Sequence, residues 1–252
     1  YRTEKSEGGA LNVVVVIPTY NERESIESLI REVLSLSLEL NVLVVDDNSP
    51  DGTGTIVSKL AEESPKVSLL TRKKRKGRGS AGVDGFKKAL EMGADLIIEM
   101  DADFSHHPRH IPALVANADN YKVVLGSRFV PGGADRDRGM LRQMVTRLAG
   151  LYVRTSLGIK IRDVSSGYRC FRKEVFEKVD LDDMISAGPA IVLEILYKVC
   201  LNGFSVKEVP IIFEDRRQGQ TKLDTITLLE TLVMVLRLRK MHRQGLLFRN
   251  ND

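Results

Sequence analysis

Leu96-Ile97-Ile98-Glu99-Met100-Asp101-Ala102-Asp103 is an apolar run of strand character that ends in two carboxylates separated by one small residue. Alternate residues of a strand share a face, so Asp101 and Asp103 are expected to point the same way at its mouth. Two hard oxygen donors in that position suit a divalent cation such as Mg2+. That ion takes one or two carboxylates and completes its shell with water and substrate phosphate. In open parallel α/β sheets, ligands collect beyond the carboxyl ends of the strands. An isolated Asp-x-Asp is equally an ordinary acidic turn, so the flanking sequence decides.

Towards the N-terminus the same unit recurs. Val13-Val14-Val15-Val16-Ile17 is a continuous β-branched run, the mark of a strand covered on both faces. Pro18 is expected to end it, having no N–H for the ladder. Ile26, Leu29, Ile30, Val33 and Leu34 follow at helical spacing, with Asn21 as the expected N-cap. No G-x-G-x-x-G occupies the loop between, which argues against a dinucleotide-binding dehydrogenase. Val42-Leu43-Val44-Val45 is a second buried strand, running into Asp46-Asp47-Asn48-Ser49-Pro50-Asp51-Gly52-Thr53. A short helix and the strand Val67–Leu70 come next, then a basic run over 72–78, read as a solvated loop. Strand and helix alternating over about 100 residues predict an α/β fold. It is doubly wound, with a mostly parallel central sheet and helices on both faces.

Beyond the carboxylates, Phe104-Ser105-His106-His107-Pro108 reads as a loop with structural histidines, since adjacent residues diverge in direction. Val123 to Arg128 is a strand that ends in a cation. Residues 140–157 read as helical, with Arg142 and Thr146 four apart on one face. Asp163 to Arg172 reads as extended, 190–201 as a helix closed by Gly203, and 206–213 as a strand. The last helix, about 224–243, carries Ile226, Leu229, Val233 and Leu236 on one side and Arg237, Arg239, Lys240 and Arg243 near its end. This stripe is too short, and too interrupted by Glu230, to span a bilayer. It suits a helix lying in the membrane interface. The same stripe would also serve for packing on residues 1–223 or on a small membrane partner.

The 252 residues are 42% hydrophobic and 29% charged, enough for one large domain and too apolar for disorder. A formal charge of +4 favours an anionic partner without choosing one. The two cysteines, Cys170 and Cys200, lack metal-ligand spacing and read as buried thiols of a reducing compartment. The first ten residues are polar and Gly-rich, with no signal-peptide pattern. Residues 1–11 are expected to form a loose tail.

Five motifs then stand in order: Pro18-Thr19-Tyr20-Asn21-Glu22, Asp46 to Thr53, Asp101-Ala102-Asp103, Gly126-Ser127-Arg128 and Arg216…Gly219…Thr221-Lys222-Leu223. Together they resemble the inverting nucleotide-sugar glycosyltransferases of family 2, with the Rossmann-like GT-A fold. Within that family they resemble the dolichyl-phosphate mannose synthases. The resemblance covers roughly residues 12–223. It implies a catalytic domain over 1–223; the residues after it read as a basic amphipathic helix and tail over 224–252 without a transmembrane span, although some relatives continue into transmembrane helices. Many relatives carry Gln as a metal ligand where this chain has Ser105, and the chain lacks Trp, so the Gln-x-x-Arg-Trp motif of processive synthases is absent.

The resemblance implies transfer of mannose from GDP-mannose to dolichyl or another polyprenyl phosphate. It assigns Pro18, Tyr20, Glu22, Val45, Asp47, Asp101, Ala102, Asp103, Arg216 and Lys222 to the nucleotide sugar. Mg2+ or Mn2+ falls to Asp101, Asp103 and Ser105, and the acceptor phosphate to Arg128, Arg142 and Thr146. Asp103, Arg128 and Arg142 are the residues expected to act in catalysis. The partners implied are the donor, the lipid phosphate and a membrane surface on its cytoplasmic side, reached directly or through small anchoring subunits, and no nucleic acid. Two alternatives stay open. One is a hexosyltransferase, such as a glucosyltransferase, acting on the same lipid phosphate from a UDP-sugar. The other is a non-catalytic nucleotide-binding module, against which the intact Asp-Ala-Asp counts.

Overall fold

A computed structural model describes residues 11–73, 77–136, 139–186, 188–214 and 225–245, with side chains of the last segment from Glu230 onward. The first half alternates as expected: β1 (Val13–Thr19), α1 (Ile26–Leu34), β2 (Leu40–Asp46), α2 (Thr53–Glu63), β3 (Val67–Thr71), α3 (Arg78–Glu91) and β4 (Leu96–Glu99). Then come a 3-10 turn at Pro108–His110, α4 (Ile111–Asn117), β5 (Val123–Ser127), β6 (Ala134–Asp135) and α5 (Met140–Leu157). The chain continues through β7 (Arg169–Arg172), α6 (Val175–Lys178), α7 (Ile191–Leu201), β8 (Val206–Pro210), β9 (Ile212–Phe213) and α8 (Thr225–Arg243).

Among the described residues these strands make a seven-stranded sheet in the order β3-β2-β1-β4-β7-β5-β8. β7 runs antiparallel to both neighbours and every other pairing is parallel. The valine run of β1 shows why a buried parallel strand needs no polar face. Val13, Val15 and Ile17 join the core beneath α1, α2 and α4, while Val14 and Val16 join the core beneath α3, α6 and α7. A third cluster joins α5, α7 and α8 through Val153, Leu196, Tyr197, Val235 and Leu238.

Several local expectations change. Pro18 lies inside β1, in register with Val45, and the strand ends one residue later. Met100 N–H donates to Val16 O, so Val16 and, two residues on, Pro18 face the β4 side, where β4 has already stopped at Glu99. No ladder bond is therefore demanded of the proline nitrogen. Asn21 does not cap α1: it sits at φ 60° in a turn, and the helix starts at Ile26 after Ser25. The segment 163–168 is loop, with strand only at 169–172. The expected strand 206–213 is two strands, because Ile211 carries the chain from the main sheet into a small β6–β9 pair. The cysteines are unpaired; Cys170 is buried and Cys200 half-buried.

Candidate active site

The carboxyl ends of β1 and β2 form one side of the edge. Pro18 and Val45 are buried and adjacent, and Tyr20 and Glu22 follow, half-buried. Glu22 N–H donates to Thr53 Oγ1, which ties the β1 loop to the start of α2. Asp46 Oδ1 and Oδ2 accept from the Ser49 hydroxyl and N–H, closing the acidic turn. Asp47 is buried with Arg72: Arg72 Nη1 donates to Asp47 Oδ1 at 2.8 Å, and Gly77 N–H donates to Oδ2 at 2.9 Å. Arg72 also meets Asp84 at 2.9 Å.

Beyond β4 the chain turns sharply, with Phe104 at φ 64° and Ala102 buried beneath the turn. Asp101 N–H donates to His106 Nδ1 at 3.0 Å, and the His106 ring stacks on Tyr168 with centroids 5.0 Å apart. Burial holds the His106 pKa below its ordinary value, against the pull of Asp101, so the ring is a neutral acceptor here. Asp103 Oδ1 accepts from Ser105 N–H and, at 2.6 Å, from the Ser105 hydroxyl. Arg78 Nε donates to Asp101 Oδ1 at 2.7 Å, and Arg78 Nη1 lies 3.4 Å from Glu99. Burial opposes the Arg78 charge, but Asp101 and Glu99 more than offset it and raise its pKa. Burial likewise raises Glu99, opposed by Arg78 and Arg169.

The donor set fits a hard divalent ion of the kind that needs few protein ligands. Asp101 and Asp103 are half-buried carboxylates at a strand mouth, and among the described residues no group of three or more His, Cys, Asp or Glu is arranged to hold a metal by itself. Such a site leaves most of the shell to water and phosphate, as Mg2+ prefers.

The end of β5 forms the other side. Arg128 is buried against Asp163 in a two-pronged pair, Nε to Oδ2 at 2.8 Å and Nη2 to Oδ1 at 2.7 Å, and Nη2 also reaches Ser165 at 2.7 Å. Its guanidinium lies 5.2 Å from the Phe213 ring centre, and Phe213 meets His106 edge-on at 5.9 Å. The two sides of the edge thus join through Arg128, Phe213 and His106. Arg142 and Thr146 stand on α5, half-buried, with the Thr146 hydroxyl donating to Arg142 O. Arg216 and Lys222 lie outside the described residues.

Arg72, Arg78, Glu99, Asp163 and Arg169 were not legible as site residues. The solvated reading of the run 72–78 fails at Arg72 and Arg78, which turn inward onto carboxylates; 74–76 lie outside the described residues. One signal was present: an Arg at a helix N-terminus opposes the dipole, so Arg78 at the first position of α3 required a nearby acid.

An open α/β sheet with an Asp-Ala-Asp turn at its carboxyl edge defines a GT-A type fold. The chain belongs to glycosyltransferase family 2: residues 14–180 match the family described as Glycosyl transferase family 2. It is 38% identical over 224 residues to the polyprenol monophosphomannose synthase of Mycolicibacterium smegmatis, covering 88% of this chain and 84% of that one. It is 37% identical over 227 residues to the undecaprenyl-phosphate mannosyltransferase of Micrococcus luteus, covering 90% and 93%. With the dolichol-phosphate mannosyltransferase of Pyrococcus furiosus it shares 38% identity over 236 residues, 91% of this chain but 64% of that protein. In structure it resembles glucosyl-3-phosphoglycerate synthase of Mycobacterium tuberculosis, solved with Mn2+, UDP and glucosyl-3-phosphoglycerate. That similarity has a TM-score of 0.66 at 19% identity over 91% of this chain and 80% of that one, and it speaks to fold alone.

Proposed function

We propose that the chain is an inverting transferase that moves mannose from GDP-mannose to dolichyl or another polyprenyl phosphate, releasing GDP. The observation that carries this is the two-sided edge, in which the carboxylates of Asp101 and Asp103 and the Arg128 guanidinium are linked through His106 and Phe213. The names of the relatives at 37–38% identity support the same reading.

Pro18, Tyr20, Glu22 and Val45 line the nucleotide end, which Asp47 and Arg72 close. Asp101 and Asp103 would hold Mg2+ or Mn2+, with Ser105 fixing the Asp103 carboxylate. When bound, that ion neutralises charge developing on the leaving diphosphate. Arg216 and Lys222 are assigned to the same phosphates. The acceptor needs no general base, because a phosphate monoester with a second pKa of about 6 is already a dianion at neutral pH. The protein's task is to place that dianion. Arg128 arrives pre-oriented by Asp163, and Arg142 adds a second fork. Thr146 joins them by rotating its hydroxyl away from Arg142 O.

The polyprenyl chain stays in the bilayer while its phosphate enters the site, so the protein works at a membrane surface, here assigned to the cytoplasmic side. No helix among the described residues is long and apolar enough to cross a membrane. Instead α5 turns its largest apolar side chains outward: Met140 is 87% exposed, and Leu141, Met144, Leu148 and Leu151 follow on the same face. On α8, Met234, Val235 and Leu238 pack inward while Val233 and Leu236 are 56% and 60% exposed, beside exposed Arg237, Arg239, Lys240 and Arg243. The side chains of Ile226 and Leu229 lie outside the described residues. A cleft of about 600 Å3 beside this face holds Arg147, Arg154 and Arg162, which form no ion pair with another described residue. Exposed apolar groups rimmed by cations suit an anionic interface, at about 1 kcal/mol per cation near the surface. Residues 1–223 are thus assigned the catalysis, and α8 shares the attachment with α5, directly or with small anchoring subunits.

The test is donor choice. Labelled GDP-mannose, UDP-glucose and UDP-N-acetylglucosamine are each offered with polyprenyl phosphate. Transfer from GDP-mannose alone supports the reading. Transfer from a UDP-sugar alone would replace it by a hexosyltransferase of the same lipid phosphate, and binding without any transfer by a nucleotide-binding module.

A further inference from the structure

The Arg78 guanidinium is built into the carboxylate cluster. It contacts Asp101 through Nε at 2.7 Å and Nη2 at 2.5 Å, and Glu99 through Nη1 at 3.4 Å. Two glycines make the room. A Cβ on Gly167 would lie 2.7 Å from Arg78 Nη2, and one on Gly82 would lie 3.0 Å from Glu99 Oε1. Across the antiparallel β4–β7 pair, Glu99 stands opposite Arg169. Arg169 is otherwise spent on backbone: its Nε donates to Ser166 O and its Nη1 to Val192 O. Glu99 is buried and has no part in the proposed chemistry. Its place is explained as the inner anchor of Arg78, which then projects onto Asp101 at the half-buried mouth.

An Arg at a helix N-terminus is electrostatically disfavoured. A charge-assisted hydrogen bond from a guanidinium to a carboxylate is among the stronger ones. The Nε bond to Asp101 Oδ1, with Nη2 close beside the same oxygen, therefore sets the place of the guanidinium, and it covers one oxygen of a residue assigned to the divalent ion.

We propose that Arg78 is a positioning residue that competes with the divalent ion for Asp101, so that the ion alone binds weakly and binds well only together with the nucleotide diphosphate. The competition is direct. With the guanidinium in place, Asp101 offers the ion one oxygen less and the site one positive charge more. A diphosphate reverses the balance by bringing negative charge that the ion and the guanidinium share. Ion and donor then enter as a unit, and the site does not load with metal in the absence of donor. This inference rests on the assignment of Asp101 and Asp103 to a divalent ion, and it does not require that the donor be GDP-mannose.

The test is Mn2+ binding to the full chain without nucleotide, read by the loss of the free-ion paramagnetic resonance signal. Arg78→Met should tighten Mn2+ binding about tenfold, which corresponds to about 1.4 kcal/mol. Arg78→Lys, which keeps the charge, should stay within threefold of the parent. Mere disturbance of the site would weaken binding, so the direction of the change is decisive. Should Arg78→Met not fold because Glu99 is left buried beside Arg169 alone, Arg78→Met/Glu99→Gln removes that charge and is expected to tighten binding in the same direction. With GDP present, parent and variants should converge. A folded Arg78→Met, or the double variant in its place, whose nucleotide-free Mn2+ affinity equals or falls below the parent's overturns the proposal. Failure of GDP to bind any of these proteins would count against the donor assignment instead, and the nucleotide-free comparison would still decide the role of Arg78.

Discussion

Asp163→Asn isolates the buried pair that orients Arg128, the cation assigned here to the acceptor phosphate. Asp163 is fully buried and Arg128 nearly so, and their two hydrogen bonds measure 2.8 and 2.7 Å. Removing one partner of a buried pair typically costs about 3–5 kcal/mol, because the other charge is left uncompensated. Asparagine keeps one acceptor oxygen, so the lower figure of about 3 kcal/mol is expected. At this chain length each kcal/mol moves the melting temperature by about 2–4 °C, so a drop of about 6–12 °C is predicted at pH 7. The pH dependence provides a second check. Burial works against the Asp163 charge, but the hydrogen bonds and charge of Arg128 more than offset it, and the carboxyl sits below its ordinary value. A depressed folded pKa contributes stability that is present above the unfolded value of about 3.9 and is lost as pH falls through the folded value. The gap between parent and Asp163→Asn should therefore be full at pH 7 and narrow below about pH 4. Urea unfolding at pH 7 and at pH 3.5 reads both. Midpoints that coincide at pH 7, or a gap that widens in acid, would refute the reasoning about this pair.

Other substitutions divide the roles. Asp103→Asn should abolish turnover at saturating Mg2+ or Mn2+ while the melting temperature stays within about 3 °C, because Asp103 is half-buried at the strand mouth; unchanged activity would remove it from the metal assignment. Arg142→Ala should raise the KM for the lipid phosphate or lower kcat by about tenfold or more and leave nucleotide affinity within about twofold, as expected for about 1.5–3 kcal/mol of charged hydrogen bonding. An equal loss of nucleotide affinity would contradict that division. Leu148→Asp with Leu236→Asp changes only outward-facing side chains, so it should lower flotation with anionic vesicles without lowering nucleotide affinity, and undiminished flotation would dismiss this face as the attachment surface.

The legible and illegible parts of the chain differ for physical reasons. Val13 to Ile17 and Val42 to Val45 announce themselves because a parallel strand buried on both faces tolerates no polar residue. The repeated strand-to-helix alternation then fixes which strand ends share an edge, and so brings Asp47 and Asp101 together. What pairs laterally across the sheet leaves no local trace. Nothing near Arg169 reveals that its strand inserts antiparallel between β4 and β5, yet that insertion places Arg169 opposite Glu99 and the 163–168 loop against Arg128. Pro18 was misjudged because its tolerance depends on a neighbour that ends early. The cations at 72 and 78 were read as solvent-facing because charge runs usually are. His106 met the structural expectation: its ring accepts from the Asp101 backbone and stacks on Tyr168. The apolar face of α5 was missed because its outward residues look like ordinary core positions until the packing partner is known.

The most direct test of the central claim is the lipid product itself. The full chain, incubated with GDP-mannose carrying label in the sugar, Mn2+ and polyprenyl phosphate in anionic vesicles, should move label into the organic phase as a mannosyl phosphate of inverted, β configuration, and should move none when the acceptor is the polyprenol without its phosphate. Label in the lipid with the α configuration, or equal transfer to the unphosphorylated alcohol, would contradict the account.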